Sequence, residues 1–201
     1  VTWDTDFIAA AGALLTSIAT VLMVQAKKRL LQRRSSSAEN AVIDAATVYR
    51  LLNETAAHLC ADRALVLFAS NGGGVPAAGK PIYISILYEL FSGATQESIM
   101  SKFQSVPVDY AYMEMLSQVA EKNVWHGSPD DLRPGFLRTH YQEEGVQYSY
   151  VIKIATTETR FYYLSLRWAQ NARPSIDLIN LETLSLIANL RPVICGTERH
   201  G

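Results

Sequence analysis

The chain is poor in the residues that announce chemistry. It has two cysteines, Cys60 and Cys195, in 201 residues. That is too few for a disulfide framework, and a reducing compartment is the simpler expectation. It has no surplus of charge: 18 basic against 19 acidic side chains leave a formal net charge of -1. No global field draws it to a polyanion, so no nucleic-acid partner is expected. Its four histidines do not converge with cysteine. His58 and Cys60 stand two apart near a helix end and point to different faces. His126 and His140 lie in a loop-rich stretch without cysteine partners. No metal site is therefore expected. Cys60 with His140 is conceivable as nucleophile and base, but no local signature accompanies them, and both cysteines read as buried structural residues. No catalytic residue and no cofactor are expected.

A phosphate-binding loop is also missing, although one stretch comes close. GGGVPAAGKP (Gly72–Pro81) follows an apolar run and contains Gly74, four residues, then Gly79 and Lys80. Such a loop needs a Ser or Thr hydroxyl after the lysine to hold Mg²⁺, and a following helix whose free N–H groups face the phosphates. Pro81 supplies neither hydroxyl nor N–H, and the next segment has the period of a strand. Nucleotide hydrolysis is excluded. The glycines let backbone approach a ligand or a neighbouring subunit.

Charge is absent from Phe7 to Val24 as well. At about 1.5 Å per residue, a helix of this length just reaches across a hydrocarbon core of about 30 Å. Asp4 and Asp6 precede the run, while Lys27, Lys28, Arg29, Arg33 and Arg34 follow it. The positive-inside rule then places the C-terminal side in the cytoplasm. Basic residues after the apolar run do not suit a cleaved signal peptide. Residues 1–34 are expected to be a transmembrane or assembly-anchoring helix. Trp3 stands at the interface, Phe7, Leu14, Leu15, Ile18 and Leu22 in the apolar stretch, and Lys27, Lys28 and Arg29 at its basic flank. The alternative is a helix packed inside a large assembly.

Residues 35–60 carry a stripe with spacings of three and four: Val42, Ala45, Tyr49, Leu52, Ala56 and Leu59. It is either the seam of a parallel coiled coil between subunits or one amphipathic helix lying on its own domain. Small residues at Ala45 and Ala56 favour the seam, and a homo-oligomer is the expectation.

From residue 61 the period changes. RALVLFAS reads as a buried strand. In PIYISILYEL, Ile82, Ile84, Ile86 and Tyr88 share one face, Tyr83, Ser85 and Glu89 the other, and Leu87 breaks the alternation. Asp109 is placed to cap a helix carrying Tyr112, Met115, Leu116 and Val119. HGSPDDLRPG is a polar loop with turn chemistry. A hairpin follows: Val146, Tyr148, Tyr150, Ile152 and Ile154 alternate with polar neighbours. After a turn at Thr156–Glu158, so do Tyr162, Leu164, Leu166 and Trp168. The last helix starts after Ser175, with Ile176, Ile179, Leu186 and Leu190 along one stripe, and Pro192 is expected to distort or end it. The tyrosines around the strands and Trp168 read as β-propensity and core packing before they read as a ligand pocket. Asp62 and Arg63 read as structural residues at the start of the first strand, paired with backbone or with each other.

This order resembles the GAF/PAS-like sensor fold. The residues that carry the resemblance are LCADRALVLFASNGG and FYYLSLRWAQNARPSIDLINLETLSLIANL, within about residues 40–194. The chain is also similar to small phage- and bacterium-encoded proteins with an apolar N-terminal helix before a GAF-like domain. There the matching residues are Ala61, Asp62, Arg63, Phe68, Asn71, Gly72 and the SVPVD segment, Ser105–Asp109. The resemblance implies an α+β class for residues 61–201: an antiparallel sheet flanked by N- and C-terminal helices, preceded by a long apolar and heptad-patterned helix. It implies a fold and not a ligand. Bilin attachment would need a cysteine within Gly72–Ser149, and none is there. The expectation is a non-enzymatic, membrane-anchored, oligomeric binding or regulatory module with its domain in the cytoplasm. The alternative is a structural component of a phage virion, whose partners are neighbouring subunits and a host membrane.

Overall fold

The computed structural model describes residues 38–71, 79–92 and 97–197. The anchor residues Trp3, Phe7, Leu14, Leu15, Ile18, Leu22, Lys27, Lys28 and Arg29 lie outside them, as do Gly72–Ala78 of the glycine-rich loop. The described elements are α1 (38–58), β1 (Arg63–Ser70), β2 (Tyr83–Phe91), β3 (Val106–Pro107), α2 (Tyr110–Lys122), β4 (Val124–Gly127), α3 (Phe136–Glu143), β5 (Tyr148–Thr156), β6 (Phe161–Trp168) and α4 (Ile176–Thr197). The strands form one antiparallel sheet in the order β3-β2-β1-β6-β5-β4. β1 and β6 are its centre, which is why both are buried along nearly their whole length.

Two cores lie on the two faces of this sheet. On one, Val48, Leu52, Ala56 and Leu59 of α1 and Ile179, Leu186, Ile187, Leu190 and Ile194 of α4 pack against Val66, Ile152, Leu164 and Leu166. The helical stripe of residues 35–60 is therefore not an intersubunit seam at Leu52, Ala56 and Leu59: these side chains fill the chain's own core. Val42 and Tyr49 remain exposed, at 70% and 40%. On the other face, Tyr112, Met115, Leu116 and Val119 of α2 and Leu137 and Tyr141 of α3 cover Leu65, Leu67, Ile86, Val151 and Tyr163. Asp109 caps α2 as its position implied, accepting a hydrogen bond from the Tyr112 N–H at 2.8 Å.

Leu87 breaks the β2 pattern because the strand bulges there. Val66 pairs with Tyr88 and Leu67 with Ile86, so Leu87 is the extra residue. A bulge reverses which face the following side chains take. Ile86 and Tyr88, expected together, consequently pack in opposite cores, and Glu89 lies against the 3-10 turn Met100–Phe103. The hairpin of β5 and β6 forms as read, with a second irregularity between Lys153 and Ala155. Val146 precedes β5 and belongs to the α2–α3 core.

Three other expectations are corrected. Pro192 does not end α4, which continues to Thr197. Proline here costs one helical hydrogen bond, while Leu190 and Ile194 on either side of it stay buried. Cys60 is not buried but exposed, and Cys195 is only partly covered. Cys60 stops α1 with φ 50, the left-handed position that closes a helix, and the Ala61 N–H returns to the Ala56 carbonyl at 2.9 Å. His126 and His140, read in a loop-rich stretch, lie instead in β4 and α3, on either side of the polar loop. Its turn chemistry is real but confined to Ser128–Asp131, where Asp131 and Ser128 form a capping box. Among the described residues, α4 is the one helix long and apolar enough to cross a membrane, over Ile176–Cys195, and it packs on the sheet through Ile179, Leu186 and Leu190.

Candidate functional site

The start of β1 and the end of β6 lie side by side, with Arg63 paired directly to Arg167. Two buried cations on adjacent strands repel each other unless carboxylates come between them. Arg63 is 6% exposed and Arg167 2%. Glu89, turned to this side by the bulge, forms a salt bridge with Arg63 Nη1. It also accepts from Ser98 Oγ at 2.5 Å and from the backbone N–H groups of Ile99 and Met100 at about 3.0 Å. Glu144, just past α3, bridges both cations, with Oε2 2.7 Å from Arg167 Nη1 and Oε1 3.6 Å from Arg63 Nη2. The Arg167 guanidinium stacks 4.6 Å above the Tyr141 ring. Gly145, at φ +66, ends α3 in the left-handed region, and the Val146 N–H returns to the Tyr141 carbonyl at 2.9 Å. That turn sets Glu144 over the strands.

Arg63, Glu144 and Arg167 of this cluster form one wall of a cavity of about 440 Å³, within the size range of small-molecule sites. Lys102, Glu97 and Glu143 stand at its rim, and Ile99 and Val146 supply apolar surface. Asp62, also on the wall, is saturated. Its carboxylate accepts from the backbone N–H groups of Ala169, Gln170 and Asn171 at 2.7, 2.9 and 3.1 Å and from the Asn171 side chain at 2.8 Å. It is a fastener for the loop after β6, in keeping with the structural role read for it. Arg167 is not saturated: its buried Nε has no hydrogen-bond partner, in a setting where such groups are almost always paired.

Burial alone would raise the Glu144 carboxyl. The His140 ring at 3.3 Å and the Arg167 and Arg63 guanidinium groups outweigh it and hold the group at about 2, against an ordinary 4.5. The unfolded chain then binds the extra proton in acid. Glu144 thus stabilises the fold above about pH 4.5, and this contribution is lost as pH falls toward 2. Urea midpoints measured across that window should fall steeply for the native chain and more gently for Glu144→Gln; equal slopes would refute the assignment.

Behind the cavity wall the tyrosine hydroxyls are paired. Tyr112 and Tyr163 hydroxyls meet at 2.9 Å, and burial pushes both well above the ordinary phenol range. The aromatic residues noted in the sequence do not line one pocket. Tyr163 faces α2, whereas Tyr150, Tyr162 and Trp168 face α1 and α4. Cys60 and His140 do not meet either. Cys60 ends the helix on one face of the sheet, while the His140 ring lies tilted against Phe103, a residue of the other core, with centroids 4.6 Å apart. Lys80 stands in a turn directly before β2, a strand and not a helix, so no helix N-terminus faces a phosphate there.

Sequence reading did not single out Glu89, Glu144 or Arg167. Their nearest signal was Arg167 itself, a charge between Leu166 and Trp168 at the end of β6. Glu89 comes from β2, 26 positions from its partner Arg63, and Glu144 from the end of an unrecognised short helix, 23 positions from its partner Arg167.

No protein-family model matches the sequence, and no curated protein matches it significantly. Solved structures do. The GAF domain/HD domain protein from Geobacter sulfurreducens superposes with a TM-score of 0.55 at 10% identity, over 77% of this chain and 94% of the other. The phycoerythrobilin-bound GAF domain from a cyanobacterial phytochrome gives 0.53 at 13% identity, over 80% and 95%. The GAF domain of a two-component sensor histidine kinase from Bacillus halodurans gives 0.51 at 17% identity, over 77% and 95%. With its six-stranded antiparallel sheet, α1 and α4 on one face and α2 and α3 on the other, this chain has the GAF fold.

Proposed function

We propose that the chain is a non-enzymatic binding and regulatory module whose ligand occupies the cavity over Arg63 and Arg167. The observation that carries this reading is a cavity large enough for a small molecule with Arg63 and Arg167 in its wall, where the buried Nε of Arg167 has no hydrogen-bond partner. A cluster built only for stability would gain from closing that gap, because buried ion groups cost more than apolar ones of the same volume. The GAF fold of a bilin-bound phytochrome domain and of a sensor kinase domain agrees with a sensing role, although fold alone names no ligand.

The uncharged run Phe7–Val24 and its basic flank support membrane or assembly anchoring of residues 1–34, with the domain on the cytoplasmic side. Exposed apolar side chains on α1 and α4, Tyr49 at 40%, Leu181 at 66% and Leu184 at 63%, support self-association through the outward sides of these helices.

The test is thermal unfolding of the full chain in a cell-derived small-molecule extract, beside a variant carrying Lys102→Glu and Glu143→Lys. Both changes are at exposed rim positions and leave the buried cluster intact. The native chain should gain several degrees and the variant should not. No gain, or an equal gain in both, overturns the reading.

A further inference from the structure

We propose that the cavity takes a small zwitterion of the α-amino-acid type with an apolar side chain; this rests on the binding-module reading and names its ligand class. The argument is a balance of the groups left available. Asp62 and Glu89 are saturated by backbone and side-chain donors. Arg63 is held by Glu89 and by the Glu97 carbonyl at 3.0 Å. What remains is a positive pair, the Arg167 guanidinium bonded only to Glu144 and the Lys102 ammonium at the rim, and a negative pair, the Glu97 and Glu143 carboxylates. A simple anion would meet those two carboxylates together with Glu144. A simple cation would meet two buried arginines. Like charges brought together in a partly desolvated pocket repel strongly. A ligand bearing both signs satisfies both halves: its carboxylate faces Arg167 and Lys102, and its ammonium faces Glu143 and Glu97. Ile99 and Val146, both buried beside the opening, offer the apolar surface for a side chain, and about 440 Å³ leaves room for one.

Calorimetric titration of the full chain with L-leucine, isocaproate and isopentylamine separates the possibilities. The three share a side chain and differ only in carrying both charges, the carboxylate alone or the amine alone. L-leucine should bind at least about tenfold more tightly than either single-charge analogue. Lys102→Gln should weaken L-leucine and isocaproate but not the amine. Glu143→Gln should weaken L-leucine and isopentylamine but not isocaproate. Isocaproate binding as tightly as L-leucine overturns the zwitterion in favour of an anion site. No binding of L-leucine, L-methionine or L-phenylalanine, with stabilisation by the extract still dependent on Lys102 and Glu143, also overturns the zwitterion and leaves the binding module standing. Loss of both responses removes the binding reading itself.

Discussion

Replacing Glu89 by Gln should destabilise the domain by about 3–5 kcal/mol, the cost of stranding a buried charge by neutralising its partner. The carboxylate neutralises Arg63 and at the same time accepts from Ser98, Ile99 and Met100. A Gln amide retains one acceptor oxygen and turns a donor toward the guanidinium. The like charge of Arg167 on the neighbouring strand is then opposed by Glu144 alone. Equilibrium urea unfolding measures the effect, with the slope unchanged if the transition remains two-state. The double variant Arg63→Met, Glu89→Leu should recover most of the loss, because removing both charges avoids desolvating either. A cost under about 1 kcal/mol for the single variant, or a double variant as poor as the sum, would show that the cluster is solvated and not a buried ion network.

Leu52→Asp should abolish folding of the domain. Leu52 has no exposed surface and sits among Val48, Leu59 and the α4 residues Ile179, Leu186 and Leu190. A carboxylate there finds no cation in that cluster, and its desolvation adds several kcal/mol to the cost of the lost packing. Together these approach the whole stability of a typical domain. Far-ultraviolet circular dichroism should report loss of helix and strand, with no folded monomer at any concentration. Tyr49→Asp, on the exposed side of the same helix, should leave the spectrum intact and lower only self-association, read by sedimentation. A folded Leu52→Asp monomer would restore the intersubunit seam to Leu52 and contradict the core described above.

The two substitutions mark where sequence reading succeeds and where it stops. The strands β5 and β6 were legible because their side chains alternate over nine and eight residues, long enough for a period of two to stand out, and β1 was legible as a short unbroken apolar run. Asp109 was legible because capping is a local hydrogen bond, made within three residues. Leu87 was legible as an anomaly, but its consequence was not. That the bulge sends Glu89 toward Arg63 depends on where β1 pairs, which is a long-range fact. β4 and α3 are too short, at four and eight residues, for a period to emerge from a stretch dominated by turn residues.

Local pattern alone determines the longer elements: an apolar stripe makes a helix amphipathic whether its partner is another subunit or its own sheet, and it determined the α+β class of this chain. Which partner the α1 stripe takes was decided by the tertiary structure, because Leu52, Ala56 and Leu59 share a core with buried α4 residues at least 120 positions away. The candidate site was decided the same way. Arg63, Glu89, Glu144 and Arg167 are spread over more than 100 residues, and none of them taken singly marks a site. They become a site only when strand pairing sets the two arginines side by side and burial makes every unmatched charge among them costly.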